Sequence, residues 1–445
     1  MRLVRAFALA LVLTAVAGCV QQTPSPAAPS PVAQATTLSF LPAVTVDGAR
    51  IASEPSIKVM GDGMIFVSAP TGQVKYATRP QDALTEADKG IGQSAIWRSK
   101  DGGATFQFLA GLGPSSYHDT LPGGGDSDLA IDGKGTIYMT DQFGLAVEDL
   151  SVSTDHGNTW TEGSGMASGE PDVDRQWLWP DPDAPGTVYM NFDHNTQSID
   201  VSKTTDGGKT WTATQAADFS TSPGPIVATH SVVAFSAFDG NKLMFVHSAD
   251  KGKTWKQDEI AQGHKEIADL FPGTVADQAG TLYVSWLEKD GNGGTEIGYV
   301  FSKDDGKSWS APRVLADRPG TAVFMWSAAG AAGRLGFSWY DAPDPQKSWM
   351  ERAAVVTGAD TDAPVVTQTQ VSDKPTRVGP PCTDGTACTS GREYGDFQQC
   401  AIGPDGKLVI AYVTVLSAQD GGRITFAKEA SGPALLDAPP SPWVV

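Results

Sequence analysis

The chain has 445 residues with a formal charge of −19, 40% hydrophobic residues, 49 glycines and 30 prolines. That charge argues against nucleic acid as a ligand, because phosphates demand a cationic face, and it disfavours a polyanionic glycan unless arginines cluster locally. So many turn residues point to numerous short strands, and no helical period of any length is visible.

Arg2 and Arg5 precede an apolar stretch, Ala6–Val16, that is too short to span a bilayer. Val16-Ala17-Gly18-Cys19 then resembles the bacterial lipobox. The resemblance implies a lipoprotein signal peptide over 1–18 and acylation of Cys19. Residues 19–37 are rich in Pro, Ala, Ser and Gln without charge, and read as an extended tether to a single domain over 38–445. The chain is expected to be exported and lipid-anchored on the extracytoplasmic side of the bacterial cell membrane. Its membrane contact would be through that lipid alone.

Seven hairpin-like units follow in chain order: 56–69, 127–140, 175–192, 225–238, 268–286, 322–340 and 396–413. Each joins two apolar runs through a turn. After most of them come a third β-rich run and then a recurring spelling: SKDGGATF (99–106), STDHGNTW (153–160), TTDGGKTW (204–211), SADKGKTW (248–255) and SKDDGKSW (302–309). Degenerate counterparts stand at 357–364 and 427–434. Repeats spaced like this, with four strands per unit, predict an all-β, seven-bladed β-propeller of four-stranded antiparallel blades, with six blades as the alternative.

An active site is made once per domain, so a fivefold motif reads as scaffold. Its aspartate and hydroxyl can close a turn, and its glycine can take a backbone conformation costly to other residues. Its final aromatic (Phe106, Trp160, Trp211, Trp255, Trp309) can brace the blades.

The S/T-x-D-x-G-x-T/S-W/F spelling resembles the Asp-box, or bacterial neuraminidase repeat, of the sialidase superfamily. The resemblance covers residues from about 40 to 430. It implies a propeller with a pocket at the mouth of the central channel. An active sialidase also needs an arginine clamp, a tyrosine nucleophile with a carboxylate partner and an acid/base aspartate. Members usually carry an Arg-Ile-Pro signature on the first blade strand, where this chain reads EPSIKV (54–59) without an arginine.

First-strand starts and long connections on the same face supply the candidates. GREYGDF (391–397) offers Tyr394 as nucleophile or acid, Glu393 or Asp396 as its partner, and Arg392 as a clamp. PDVDRQW (171–177) adds Arg175 and Asp174, while His118 and Asp119 in YHDT are acid/base candidates. Trp349 could stack on a sugar. A uronate lyase would use a histidine with Tyr394 and Arg175. The competing reading pairs these arginines and carboxylates off as a structural ring.

Asp126, Asp128 and Asp172 are candidate oxygen ligands for calcium, but no zinc or EF-type spacing exists, and no cofactor is otherwise expected. Cys382 and Cys388 could close a small disulfide ring around TDGTA, leaving Cys400 free, with Cys388–Cys400 as another pairing. The expected partner is extracellular carbohydrate or a cell-surface protein. Three functions stay open: a glycoside hydrolase with a modified sialidase-type pocket, a non-catalytic binding or assembly module, and a uronate lyase.

Overall fold

Seven antiparallel sheets built on four strands, here called blades one to seven, follow one another along the chain, two of them carrying a fifth short strand. The computed structural model describes residues 37–71, 94–111, 125–143, 147–162, 173–194, 198–219, 221–315, 320–385, 388–417 and 421–437. Blade one holds Ser56–Val59, Ile65–Pro70, Ser94–Ser99 and Gln107–Gly111. Blade two holds Ser127–Ile131, Ile137–Phe143, Val147–Ser153 and Thr161–Glu162. Blade three follows with Val173–Pro180, Val188–His194, Ser198–Thr204 and Thr212–Ala217. Blade four has Val227–Ala228, Val233–Asp239, Lys242–Ser248 and Lys256–Ile260. Blade five has Gly273–Ala276, Leu282–Lys289, Thr295–Ser302 and Arg313–Val314. Blade six has Thr321–Ala329, Arg334–Ala342, Ser348–Thr357 and Val365–Gln370.

Blade seven is assembled differently from the sequence expectation. Its inner three strands are Gln399–Ile402, Leu408–Ser417 and Gly421–Ser431. The outer edge comes from the other end of the chain, where Ser39–Phe40 and Val44–Thr45 pair with Gly421–Ser431. The 427–434 segment is therefore not a turn leading to a fourth C-terminal strand. Both chain ends share one sheet, and the first strands of successive blades touch all the way round, blade seven against blade one included. Closure of this kind ties the last blade to the first, and the separate sheets keep only short outer edges. It also settles the count at seven rather than six.

The repeated turns are built as scaffold. In each, the Ser or Thr hydroxyl donates to the aspartate two residues on, as in Ser99 to Asp101 at 2.8 Å and Ser302 to Asp304 at 2.8 Å. The same hydroxyl accepts the glycine N–H, at 2.8 Å for Gly103 and 2.9 Å for Gly306. The carboxylate then accepts both the N–H and the hydroxyl of Thr105 or Ser308. Those hydroxyl and amide bonds hold Asp101, Asp155, Asp206 and Asp304 at about 2, below the ordinary carboxyl range.

Each turn also braces the preceding blade. Gly103 has φ +97° and sits so close to Phe426 of blade seven that a Cβ there would lie 2.0 Å from the ring. Gly306 meets Phe245 of blade four in the same way, and Trp309 packs edge-on against that phenylalanine at 4.9 Å. A second cross-blade tie has a fainter sequence signal. Tyr138, Tyr189 and Tyr283 donate to Asp132, Asp181 and Asp277 at 3.2, 2.9 and 2.9 Å. Asp132 and Asp277 then accept a backbone N–H from the next blade, at Gly186 and Gly333.

Candidate functional site

In blade five Gly273 pairs with Ser285, whereas Leu282 pairs with Ser302. First-strand starts therefore lie at one end of a sheet and the turn motif at the other. The end with the first-strand starts is where the candidate residues gather around the axis.

The axis itself is filled. Trp177, Phe271, Trp326 and Phe397, from blades three, five, six and seven, form a buried aromatic plug. Trp177 lies 4.9, 5.1 and 5.4 Å from Phe397, Trp326 and Phe271, each in a tilted or edge-on contact. Further along the first strands, Asp128 is enclosed by polar partners. It accepts from Ser56 at 2.6 Å, Lys58 at 3.2 Å, Gln399 at 3.1 Å and the N–H of Leu178 at 2.8 Å.

On the strand-start side of the plug lies an ionic layer. Arg175 donates to Asp126 at 3.1 Å and to Asp396, and its Nε is 3.9 Å from Asp174. Arg392 grips both oxygens of Asp396, at 2.9 and 2.8 Å, and approaches Glu54 at 3.6 Å. Glu54 in turn accepts the N–H of Asp396 at 2.9 Å. The guanidinium fork suits this two-oxygen grip.

Four carboxylates share two guanidinium groups, and their proton affinities diverge. Burial, with Asp126 and Asp396 nearby, drives Glu54 well above its ordinary value. Burial likewise pushes Asp126 up to about 6 against the pull of Arg175. Burial would raise Asp396 too, but Arg175 and Arg392 outweigh it and hold that carboxyl low.

The backbone is strained at this layer. Glu54, Arg175 and Phe324 have φ of 51°, 58° and 53°, and the strand register shifts around Arg175 and around Phe324. Such conformations cost about 1–3 kcal/mol each and persist when neighbours over-determine them.

The structure thus brings Arg175, Arg392, Asp174, Asp126 and Asp396 together. The Tyr394 side chain makes no hydrogen bond to any of them. It is fully buried, stacks on Tyr340, and has its hydroxyl 2.5 Å from that of Thr376. Glu393 is bonded to Arg377 rather than to the phenol. Neither carboxylate assigned to Tyr394 from sequence is hydrogen-bonded to it, and burial raises its pKa above the ordinary phenol value, the opposite of nucleophile activation.

Trp349 is also buried, with its indole N–H donating to the carbonyl of Pro345, so it offers no stacking face. Asp128 is committed to the polar partners above. Cys382 and Cys388 are disulfide-bonded, and Cys400 is a buried free thiol. Cys19, His118, Asp119 and Asp172 lie outside the described residues. Among the described residues, no group of three His, Cys, Asp or Glu side chains is placed to hold a metal ion.

Beside the ionic layer, between blades five and six, is a pocket of about 310 Å³ lined by Asp269, Leu270, Thr295, Thr321, Phe324 and Thr383 among others. Asp269 lies just before the first strand of blade five, and both its oxygens accept backbone N–H groups, from Leu270 and Leu287 at 3.0 Å each. Burial nonetheless pushes its carboxyl up to about 7. No sequence motif singles out Asp269. Thr321 and Phe324 open the next blade, and Thr383 belongs to the disulfide ring, so no local spacing announces the cavity.

No protein-family model matches the chain, and no curated protein matches it by sequence. Among solved structures, an α-L-arabinanase from Penicillium chrysogenum complexed with arabinobiose is 14% identical, covers 88% of this chain and 98% of its own, and has a TM-score of 0.48. An ulvan lyase is 12% identical over 86% of this chain and 95% of its own, at 0.48. The NanB sialidase of Streptococcus pneumoniae is 11% identical over 87% and 70%, at 0.44. Likeness of this degree carries no argument about activity.

Proposed function

We propose that the chain is an exported, lipid-tethered propeller of the sialidase-like kind that binds extracellular glycan without cleaving it. The observation that carries this reading is the state of the hub. Arg175 and Arg392 are both engaged by Asp396, so neither guanidinium stands open as a clamp for a substrate carboxylate. Two further features agree with it. Tyr394 is sealed in the core behind Tyr340 and Thr376. Among the described residues, the neighbouring pocket holds a single carboxylate, where the usual glycosidase arrangement needs two.

The test is a panel of fluorogenic glycosides and uronate polysaccharides, read for turnover, alongside a glycan array read for binding. Saturable binding without turnover is the expected result. Any turnover would overturn the reading, and turnover that disappears in Tyr394→Phe would restore the sialidase-type hydrolase. For the tether, radiolabelled palmitate should enter the wild type and not Cys19→Ala.

A further inference from the structure

Among the described residues, Asp269 is the one ionisable side chain lining the pocket between blades five and six. It forms no ion pair with any described residue, unlike the acids of the neighbouring hub, which lie against Arg175 and Arg392. Both its oxygens are anchored by backbone N–H groups, so the carboxylate is held in place at the pocket wall rather than free to swing into solvent. Burial disfavours its charged form, and the two amide bonds only partly offset that. A cation delivered by a ligand would supply the missing partner.

The rest of the wall narrows the ligand. Leu270, Val323 and Phe324 give an apolar side, and Thr321 and Thr383 give hydroxyls from two different segments. A volume of about 310 Å³ is at the small end of ligand pockets. The chain's charge of −19 favours the approach of cations over anions.

We propose that this pocket takes a small hydroxylated ligand bearing a protonated amine, an amino sugar, with Asp269 supplying the counter-charge. The proposal deepens the glycan-binding reading and rests on it. The amine sits against the Asp269 carboxylate, ring hydroxyls meet Thr321 and Thr383, and the sugar's C–H groups face the apolar wall at Leu270. A lone carboxylate does not supply the six to eight oxygens calcium requires, so the site is one for an organic cation.

Calorimetric titration of the full chain with glucosamine, N-acetylglucosamine and glucose tests it. Glucosamine is expected to bind at least tenfold tighter than the other two. Asp269→Asn should abolish that preference, while Asp362→Asn, on the exposed surface, should leave it intact. In the wild type, the carboxyl carbon resonance of Asp269 should shift on titration with glucosamine, a reading that needs no variant. Equal binding of the three sugars, or a preference that survives Asp269→Asn, overturns the amine assignment and leaves glycan binding standing. Failure of these sugars and of the whole glycan array to bind sinks both.

Discussion

The rings of Tyr340 and Tyr394 lie face to face, with centroids 3.9 Å apart and planes 7° from parallel. Tyr340 accepts the N–H of Val413 at 2.7 Å, so the stack ties blade six, the segment leading into blade seven, and blade seven itself. A phenol placed this way serves packing. Tyr394→Phe should therefore cost only about 1 kcal/mol, the worth of one buried hydroxyl bond to Thr376. Urea denaturation measures that loss, and glycan binding should be unchanged. A stable protein that has lost binding would move Tyr394 back into the site.

Arg175 should matter far more to stability than Arg392. Both pair with Asp396, but Arg175 also neutralises Asp126 and is the more buried, with 6% side-chain exposure against 27%. Arg175→Met leaves Asp126 without its cation, and should cost roughly 3–5 kcal/mol. Arg392→Met should cost clearly less, because Asp396 keeps Arg175. Thermal melts of the two variants check the order, and equal shifts would contradict the shared-carboxylate account.

Stability should fall as pH rises from 5 to 7.5. Asp126 and Asp269 have folded values of about 6 and about 7 against an ordinary 3.8, so each binds its proton more tightly in the folded chain. Between about pH 4 and pH 7 unfolding then releases protons, which makes the folded state less stable with each step upward. At the acid end Asp155, Asp206 and Asp304, held at about 2, act with the opposite sign and lose their contribution as pH falls below the ordinary value. Urea midpoints at pH 5 and 7.5 test the upper limb. A flat or rising profile contradicts it, and Asp269→Asn should make the loss smaller.

The turn glycines are not equivalent. Gly103 and Gly252 both have positive φ, at 97° and 84°. A Cβ at Gly103 would lie 2.0 Å from Phe426, whereas at Gly252 the nearest atom, on Tyr189, is 3.5 Å away. Gly103→Ala should therefore exceed Gly252→Ala in cost by about 1–3 kcal/mol, the usual range for overpacking. Calorimetric melts of the pair decide it, and equal destabilisation would mean that backbone strain alone sets the cost.

Local chemistry made the scaffold legible. The S/T-x-D-x-G-x-T/S-W/F turn closes within eight residues, so Asp101, Gly103 and Phe106 announce their geometry without reference to the rest of the chain. The apolar runs are equally local, and together they point to seven blades, with six left open until the ring is seen to close. The sequence also named Arg175, Asp126, Arg392 and Asp396, because a repeat places each first-strand start near the axis.

What those residues do at the axis depends on contacts between blades far apart in sequence. Arg175 and Asp396 are 221 positions apart, and nothing in either segment states that they meet. The N-terminal strand that completes blade seven, the burial of Tyr394 behind Tyr340, and the cavity at Asp269 are of the same kind. Sequence by itself determined the repeating unit, because its bonds span a few residues. Only the tertiary structure decided which charges are neutralised and which carboxylate is left facing a pocket, because desolvation and ion pairing are set by neighbours that closure of the ring brings together.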